Sequence, residues 1–199
     1  MEWCIPIQTF QVENVQLGTM LEGQKPMISF AYKDNDMRFT ALNILLPILP
    51  IKSYNPLTGR LILSLEDSPS TLRKILMLQD TILNSVFTNQ HHWFPNQTNL
   101  RKFNDIKATF QSIINNTEMN LYCPINDNDT HGPIVYANNA WTRGIFSSGL
   151  LVPGEKIRAV IRLQGISFHI NPVNNQWTGK FRLQHRILAV LIPSSKTVL

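Results

Sequence analysis

Hydrophobic and polar residues alternate most regularly towards the end of the chain. In the segment 155–170, apolar side chains occupy odd positions from Ile157 to Leu163, and the polar side chains of Lys156, Arg158, Arg162 and Gln164 occupy even positions. Residues 177–192 repeat this alternation, with odd apolar positions continuing to Leu191. A period of two assigns the odd set to the buried face of a strand. Because the turn-forming residues Asn-Pro-Val-Asn-Asn-Gln separate the two segments, the pattern predicts a long C-terminal hairpin.

Shorter apolar segments upstream predict further strands. Each is preceded by Gly, Pro, Asn or Asp, which are typical of turns. The segments are 27–32 and 37–44, which flank the turn 33–36, then 60–65, 121–123 and 134–136. The first two predict a second hairpin.

A helix is predicted in the middle of the chain. Ser68 or Ser70 can cap its first turn, where Pro69 is tolerated, and the helical pattern ends near Phe87. The apolar residues that recur at helical spacing are Leu72, Ile75, Leu76, Ile82, Leu83 and Val86. A shorter amphipathic segment follows at residues 106–114.

These elements predict a mainly β fold with one or two helices. The chain of 199 residues is long enough for a single domain, in which residues 1–26 form an extension and residues 27–192 the core. Short strands, a helix between strands and a long terminal hairpin favour a small barrel or sandwich. The architecture we expect is an OB-type five-stranded barrel with insertions and a long C-terminal hairpin.

The net charge of +5 is concentrated in one segment. Residues 154–199 contain seven Lys and Arg residues and one acidic residue, Glu155, whereas the rest of the chain is nearly balanced. Six of these cations occupy polar positions of the predicted hairpin: Lys156, Arg158, Arg162, Lys180, Arg182 and Arg186. Side chains on one face of an antiparallel pair are neighbours, so the six are predicted to form one patch. Such a patch favours an anionic partner, nucleic acid being the first candidate, although a solvated strand face explains the same pattern.

Aromatic residues near this patch are candidates for stacking on nucleic-acid bases. Gly165 stands where a bulge can bring Phe168 towards the patch, and Trp177 lies at the hairpin turn. Trp141 and Arg143 supply another aromatic and basic pair. Phosphate neutralisation combined with base stacking is typical of proteins that bind single strands.

The remaining composition excludes several protein classes. The longest apolar run, residues 44–51, contains two prolines and is too short for a membrane helix, and no signal peptide is visible. Cys4 and Cys123 are too few for a disulfide framework, so a reducing, intracellular environment is expected.

Metal and catalytic sites have little support in the sequence. Four candidate ligands match no common zinc spacing: His91, His92, Cys123 and His131. Signatures of serine nucleophiles and phosphate loops are absent, and His185 on the predicted core face is interpreted as structural. Asp127 and Asp129 beside His131 keep a magnesium-dependent nuclease as an alternative. We therefore predict a protein without enzymatic activity, metal or cofactor.

The C-terminal hairpin resembles a known protein family. Residues 154–168, GEKIRAVIRLQGISF, are similar to a strand with a Gly-Ile-aromatic end in the single-stranded DNA-binding proteins of large cytoplasmic DNA viruses. Residues 180–192, KFRLQHRILAVLI, resemble the last strand of those proteins. Residues 78–83 and 92–94 resemble their helix and Trp-Phe element, and the order of elements is shared over residues 27–192.

The resemblance implies an OB-type core in a member of this family or in a related protein of another linear DNA element. The basic and aromatic positions of the family's last strand carry over to Lys180, Phe181 and Arg186. The chain departs from the family pattern at Ser167, Arg182, His185 and Ala189.

The expected function is sequence-independent binding of single-stranded DNA during replication, repair or recombination, at a viral replication site in the host cytoplasm. Replication proteins are expected partners, and no membrane partner is. RNA binding, self-association and a location in the nucleus or the virion stay open. The alternatives are a capsid-associated β-barrel protein whose basic surface faces the genome, and the metal-dependent nuclease.

Overall fold

The computed structural model describes residues 3–21, 23, 25–95, 97, 99–122, 134–137, 140–143, 150–174 and 176–193, with only the backbone described for residues 141–143. This part of the chain is mainly β and contains two helices, as the sequence predicts. The helices are Pro69–Trp93 (α1) and Phe103–Thr109 (α2). The strands, β1 to β13 in chain order, are Ile5–Pro6, Val15–Leu21, Met27–Asp34, Met37–Phe39, Leu42–Asn55, Arg60–Ser64, Phe110–Gln111, Ile114–Asn115, Glu118–Tyr122, Ile134–Ala137, Ala140–Arg143, Lys156–Ile170 and Trp177–Leu191.

The strands pair into one sheet that is mostly antiparallel. β12 pairs with β13 along one edge and with β5 and β3 along the other. β5 changes partner along its length, since residues 42–50 pair with β12 whereas residues 51–55 pair with β6. The main path through the sheet therefore runs β13, β12, β5, β6, β9.

The predicted C-terminal hairpin is confirmed, but its register shifts at three places, two of which are single-residue bulges. Gln164 and Leu188 each lack a partner in the pairing of β12 with β13. One extra residue in a strand shifts the alternation, so that each side chain after the bulge points to the opposite face of the sheet. Beyond the bulges, Phe168 and Val190 are therefore buried. The prediction that Leu191 faces the core is wrong, because it follows the second bulge and is only half-buried.

Gly165 makes the first bulge possible. It pairs with Gln184 on one side and with Ser29 on the other, at a φ of 146° that favours glycine. A Cβ atom at this position would overlap the carbonyl oxygen of Ile28. The bulge that the sequence suggests at this glycine is thus present, and three strands pass close together there.

The hairpin predicted near residue 35 is also present, with Lys33 opposite Arg38 in the pairing of β3 with β4. The single strand predicted over residues 37–44 is wrong, since β4 ends at Phe39 and β5 begins at Leu42. The bend between them consists of Thr40 and Ala41, which are not typical turn residues, so the sequence does not reveal it. β4 stays with β3 whereas β5 turns towards β12.

Helix α1 buries one apolar face, which consists of Ile75, Leu78, Ile82, Leu83 and Val86. It continues to Trp93 instead of ending near Phe87 as predicted. The buried Gln90 holds this extra segment, because its Oε1 accepts the N–H of Arg101 at 2.8 Å and its Nε2 donates to the Arg101 carbonyl at 3.0 Å. Neither helix in the described residues is long and apolar enough to cross a membrane.

The N-terminal segment, which the sequence analysis sets apart as an extension, contributes to the same hydrophobic core. Its buried residues are Ile5, Ile7, Phe10 and Val12. Lys74 on α1 fixes the segment, because its Nζ donates to the carbonyl oxygens of Gln8 and Phe10, each at 2.7 Å. β1 adds to the edge of β5 in parallel.

Candidate nucleic-acid interface

The hairpin of β12 and β13 carries its cations on one face, as the alternation predicts. We call this surface the basic face, and its cationic side chains are Lys156, Arg158, Arg162, Lys180, Arg182 and Arg186. Lys156, Lys180 and Arg182 are exposed, whereas the other three are half-buried. The opposite face of the same strands is buried, so the basic face is the side available to a partner.

Two arginines meet at the centre of the basic face. The register places Arg162 directly opposite Arg186, and places Ser167 opposite Arg182. Like charges in directly opposed positions destabilise a sheet. The pairing of these two arginines therefore concentrates positive charge at the centre of the basic face.

Hydrogen bonds to β5 orient two of these arginines. Arg158 Nε donates to the Leu46 carbonyl at 3.3 Å, and Arg162 Nε donates to Asn43 Oδ1 at 3.0 Å. Asn43 is buried, and its Nδ2 donates to the Trp3 carbonyl at 2.9 Å. The chain of contacts from Arg162 through Asn43 therefore anchors the N-terminal segment beside the basic face.

Within the described residues, no carboxylate pairs with an exposed cation of the basic face. The ion pairs in this part of the chain lie elsewhere and join Lys52 to Glu66 and to Glu118, each at 3.9 Å. Lys156, Lys180 and Arg182 have no such partner in this part of the chain. Their charge is thus available to an external anion.

An aromatic stack that the sequence analysis does not select lies next to this surface. The rings of Trp3 and Phe39 stack with centroids 3.7 Å apart and an interplanar angle of 3°. Trp3 is 43% exposed, and its own carbonyl is the group that Asn43 contacts. No sequence signal links these residues, because the stack depends on how the N-terminal segment packs against β4.

The structure places Phe168 and Trp177 away from the solvent, which corrects the expectation that they are available for stacking. Phe168 is 2% exposed and Trp177 is 3% exposed. Phe168 faces the core because the bulge at Gln164 shifts the alternation of β12. As folded, neither ring presents a face to a base in solution.

Trp177 belongs to an aromatic cluster, which consists of the buried Phe168, Trp177 and Phe181 and the half-buried Trp93, Phe94 and Phe110. Its ring stacks on Phe94 with centroids 4.8 Å apart, and its Nε1 donates to the Lys180 carbonyl at 3.0 Å. The Arg101 guanidinium lies 5.4 Å from the ring centroid. The segment after α1 therefore covers the hairpin turn that the sequence suggests is open.

Other candidate residues are only partly described or not described. Trp141 and Arg143 lie in β11, which pairs with β10, and their side chains lie outside the described residues. Cys123, Asp127, Asp129 and His131 lie outside the described residues altogether. His91 and His92 are exposed in the last turn of α1. Within the part of the chain described, no group of three or more His, Cys, Asp or Glu residues is arranged to hold a metal.

His185 has the structural role that its position predicts. Its Nε2 accepts the backbone N–H of Tyr122 at 3.2 Å, which joins β13 to the end of β9. Its Nδ1 lies 3.3 Å from the Leu183 carbonyl, so the proton of the neutral ring is expected on Nδ1. Burial lowers the pKa of His185, and the charge of Arg182 adds to this effect while the Leu183 carbonyl opposes it.

No protein-family model matches this chain, and no curated protein sequence matches it. The resemblance to viral single-stranded DNA-binding proteins therefore stays a prediction.

Proposed function

We propose that this protein binds single-stranded nucleic acid, with DNA as the expected ligand, and that the basic face is its interface. The observation that carries the proposal is the one-sided placement of six cations on two adjacent strands whose other face is core. A chain with charges scattered over its surface would not concentrate a positive potential in this way. The activity proposed is binding alone, in replication, repair or recombination.

An OB-type barrel is part of this proposal, and strand order supports it. In the path β12, β5, β6, β9, the last of these strands in the sequence, β12, lies beside the first, β5. This is the spatial order of a Greek key. β13 extends the path, and its His185 contacts the backbone of β9 at the other end. A five-stranded, partly open Greek-key barrel is the OB architecture, which binds oligonucleotides in many proteins.

Binding would combine phosphate contacts with base stacking. The exposed cations of the basic face, Lys156, Lys180 and Arg182, would contact phosphates in any sequence. Trp3 replaces Phe168 and Trp177 as the stacking residue, because its ring is exposed and stacked on Phe39 beside the same surface. Unpaired bases expose ring faces that a duplex does not, so this combination favours single strands.

The proposal is tested by fluorescence anisotropy with a labelled 20-nucleotide DNA strand, the corresponding duplex and the corresponding RNA. We expect the single DNA strand to bind more tightly than the duplex. The variant with Lys180→Ala and Arg182→Ala should bind more weakly. Its matched control carries Arg73→Ala and Lys107→Ala, which removes the same charge from exposed helix positions and should retain more affinity. Equal losses in both variants would show a response to net charge and not a site.

A further inference from the structure

A second feature of the molecule is a cleft of about 460 Å³ between β13 and the strands β6, β8 and β9. We call it the seam cleft. The side chains that line it include Arg60, Asn115, Asn120, Tyr122, Arg182 and His185. Its volume falls within the range of small-ligand sites, about 300–1,000 Å³. Among the nucleic-acid-binding candidates from the sequence whose side chains are described, Arg182 alone lines this cleft.

Two arginines line the seam cleft from different strands. Arg60 comes from β6 and Arg182 from β13, and neither pairs with a carboxylate within the described residues. Arg60 is held in place, since its Nε and Nη2 donate to Asn120 Oδ1 at 3.1 and 2.6 Å. Guanidinium groups match the geometry of phosphate oxygens. The cleft therefore suits a phosphate group.

The same cleft contains an aromatic ring with solvent access. Tyr122 ends β9 and is 54% exposed, and its ring centroid lies 6.2 Å from that of His185. The contact of its backbone N–H with His185 fixes where the tyrosine leaves the sheet. The amide side chains of Asn115 and Asn120 add polar groups that can pair with a base edge. Guanidinium groups for a phosphate, an exposed ring for a base face and amides for a base edge together match one nucleotide.

We propose that the seam cleft binds one nucleotide, with its phosphate between Arg60 and Arg182 and its base against Tyr122. The inference rests on the proposed function where the nucleotide is part of a strand, because Arg182 belongs to both the basic face and the cleft. A free mononucleotide offers the same chemistry. The test therefore includes both sources.

The experiment measures binding of a labelled ten-residue oligothymidylate and of thymidine monophosphate to the full chain. Tyr122→Ala should weaken oligonucleotide binding about 5- to 150-fold, the effect expected for loss of one stacked base, and Tyr122→Phe should retain most of the affinity. Arg60→Ala should also weaken binding, whereas Arg73→Ala at an exposed helix position should not. Melting temperatures of the four variants verify that they are folded.

A second readout does not depend on any variant. An oligothymidylate that carries 5-iododeoxyuridine is irradiated with the wild-type protein, and the adduct is mapped by mass spectrometry. We expect the adduct at Tyr122.

The outcomes separate the two proposals. Wild-type affinity in folded Tyr122→Ala and Arg60→Ala variants, with the adduct elsewhere, would overturn the seam cleft and leave single-strand binding intact. Binding of thymidine monophosphate that depends on Tyr122, without oligonucleotide binding, would support the cleft and overturn the proposed function. Failure of the wild type to bind either ligand would overturn both.

Discussion

Replacement of Trp177 by alanine distinguishes a core role from a nucleic-acid contact. The ring is 3% exposed and stacks on Phe94, with centroids 4.8 Å apart. Truncation of a buried Trp to Ala costs about 3–5 kcal/mol of unfolding free energy. The contact with the Arg101 guanidinium and the hydrogen bond to the Lys180 carbonyl are lost as well, which favours the upper part of this range.

The assay is chemical denaturation followed by far-ultraviolet circular dichroism, together with a thermal melt. For a chain of this length, a loss of 3–5 kcal/mol corresponds to a decrease in melting temperature of about 6–20 °C. Val173→Ala in the same turn is the control, because Val173 is 93% exposed and its truncation should change stability by less than about 0.5 kcal/mol. Affinity for oligonucleotide, measured per folded molecule, should be unchanged in both variants. Unaltered stability of Trp177→Ala with weakened binding would refute the placement of this ring in the core.

Three further predictions concern salt, stacking and pH. Lys180→Ala with Arg182→Ala should reduce the slope of log K against log salt by about 1.4, because each phosphate contact on a single strand contributes about 0.7; an unchanged slope would move the interface elsewhere. Trp3→Ala should weaken oligonucleotide binding by about 1–3 kcal/mol, and should cost only about 0.5–1.5 kcal/mol of stability through its contact with Phe39; equal affinity would remove Trp3 from the site. Because burial lowers the pKa of His185, the unfolded chain binds its proton more readily than the folded one. The contribution of His185 to stability is therefore complete above about pH 6.5 and is lost as the pH falls below that value towards the lowered pKa. His185→Gln should flatten this part of the curve of unfolding free energy against pH, and parallel curves would contradict the assignment.

The buried and exposed faces of a strand were predictable where apolar and polar residues alternate without interruption. The alternation of Ile161 with Arg162 places one side chain in the core and the other outside, whatever the partner strand is. The residues after each bulge were not predictable in this way. Gly165 suggests a bulge in the sequence, but only the pairing with β13 shows that the extra residue, Gln164, turns Phe168 into the core and not towards the basic face.

The candidate site was predictable in its charge but not in its aromatic groups. The cations lie close together in sequence on two strands that form one hairpin, so their common face follows from the alternation. The aromatic contacts join distant parts of the chain. Phe94, after α1, covers Trp177, and His185 contacts Tyr122 across 63 positions. Such contacts depend on tertiary packing, which no local period encodes.

The contacts of Asn43 show how the stability of the fold and the geometry of the basic face depend on each other. Arg162 lies 119 positions away from Asn43, and Trp3 lies 40 positions away, yet both contact the same buried amide. Removal of one partner of a buried polar group leaves the other unsatisfied, which costs about 1–3 kcal/mol. The arginine at the centre of the basic face and the exposed ring of Trp3 are therefore positioned by one side chain. For this reason, a substitution at Asn43 should alter the affinity for single-stranded DNA, although Asn43 itself is buried and does not contact the ligand.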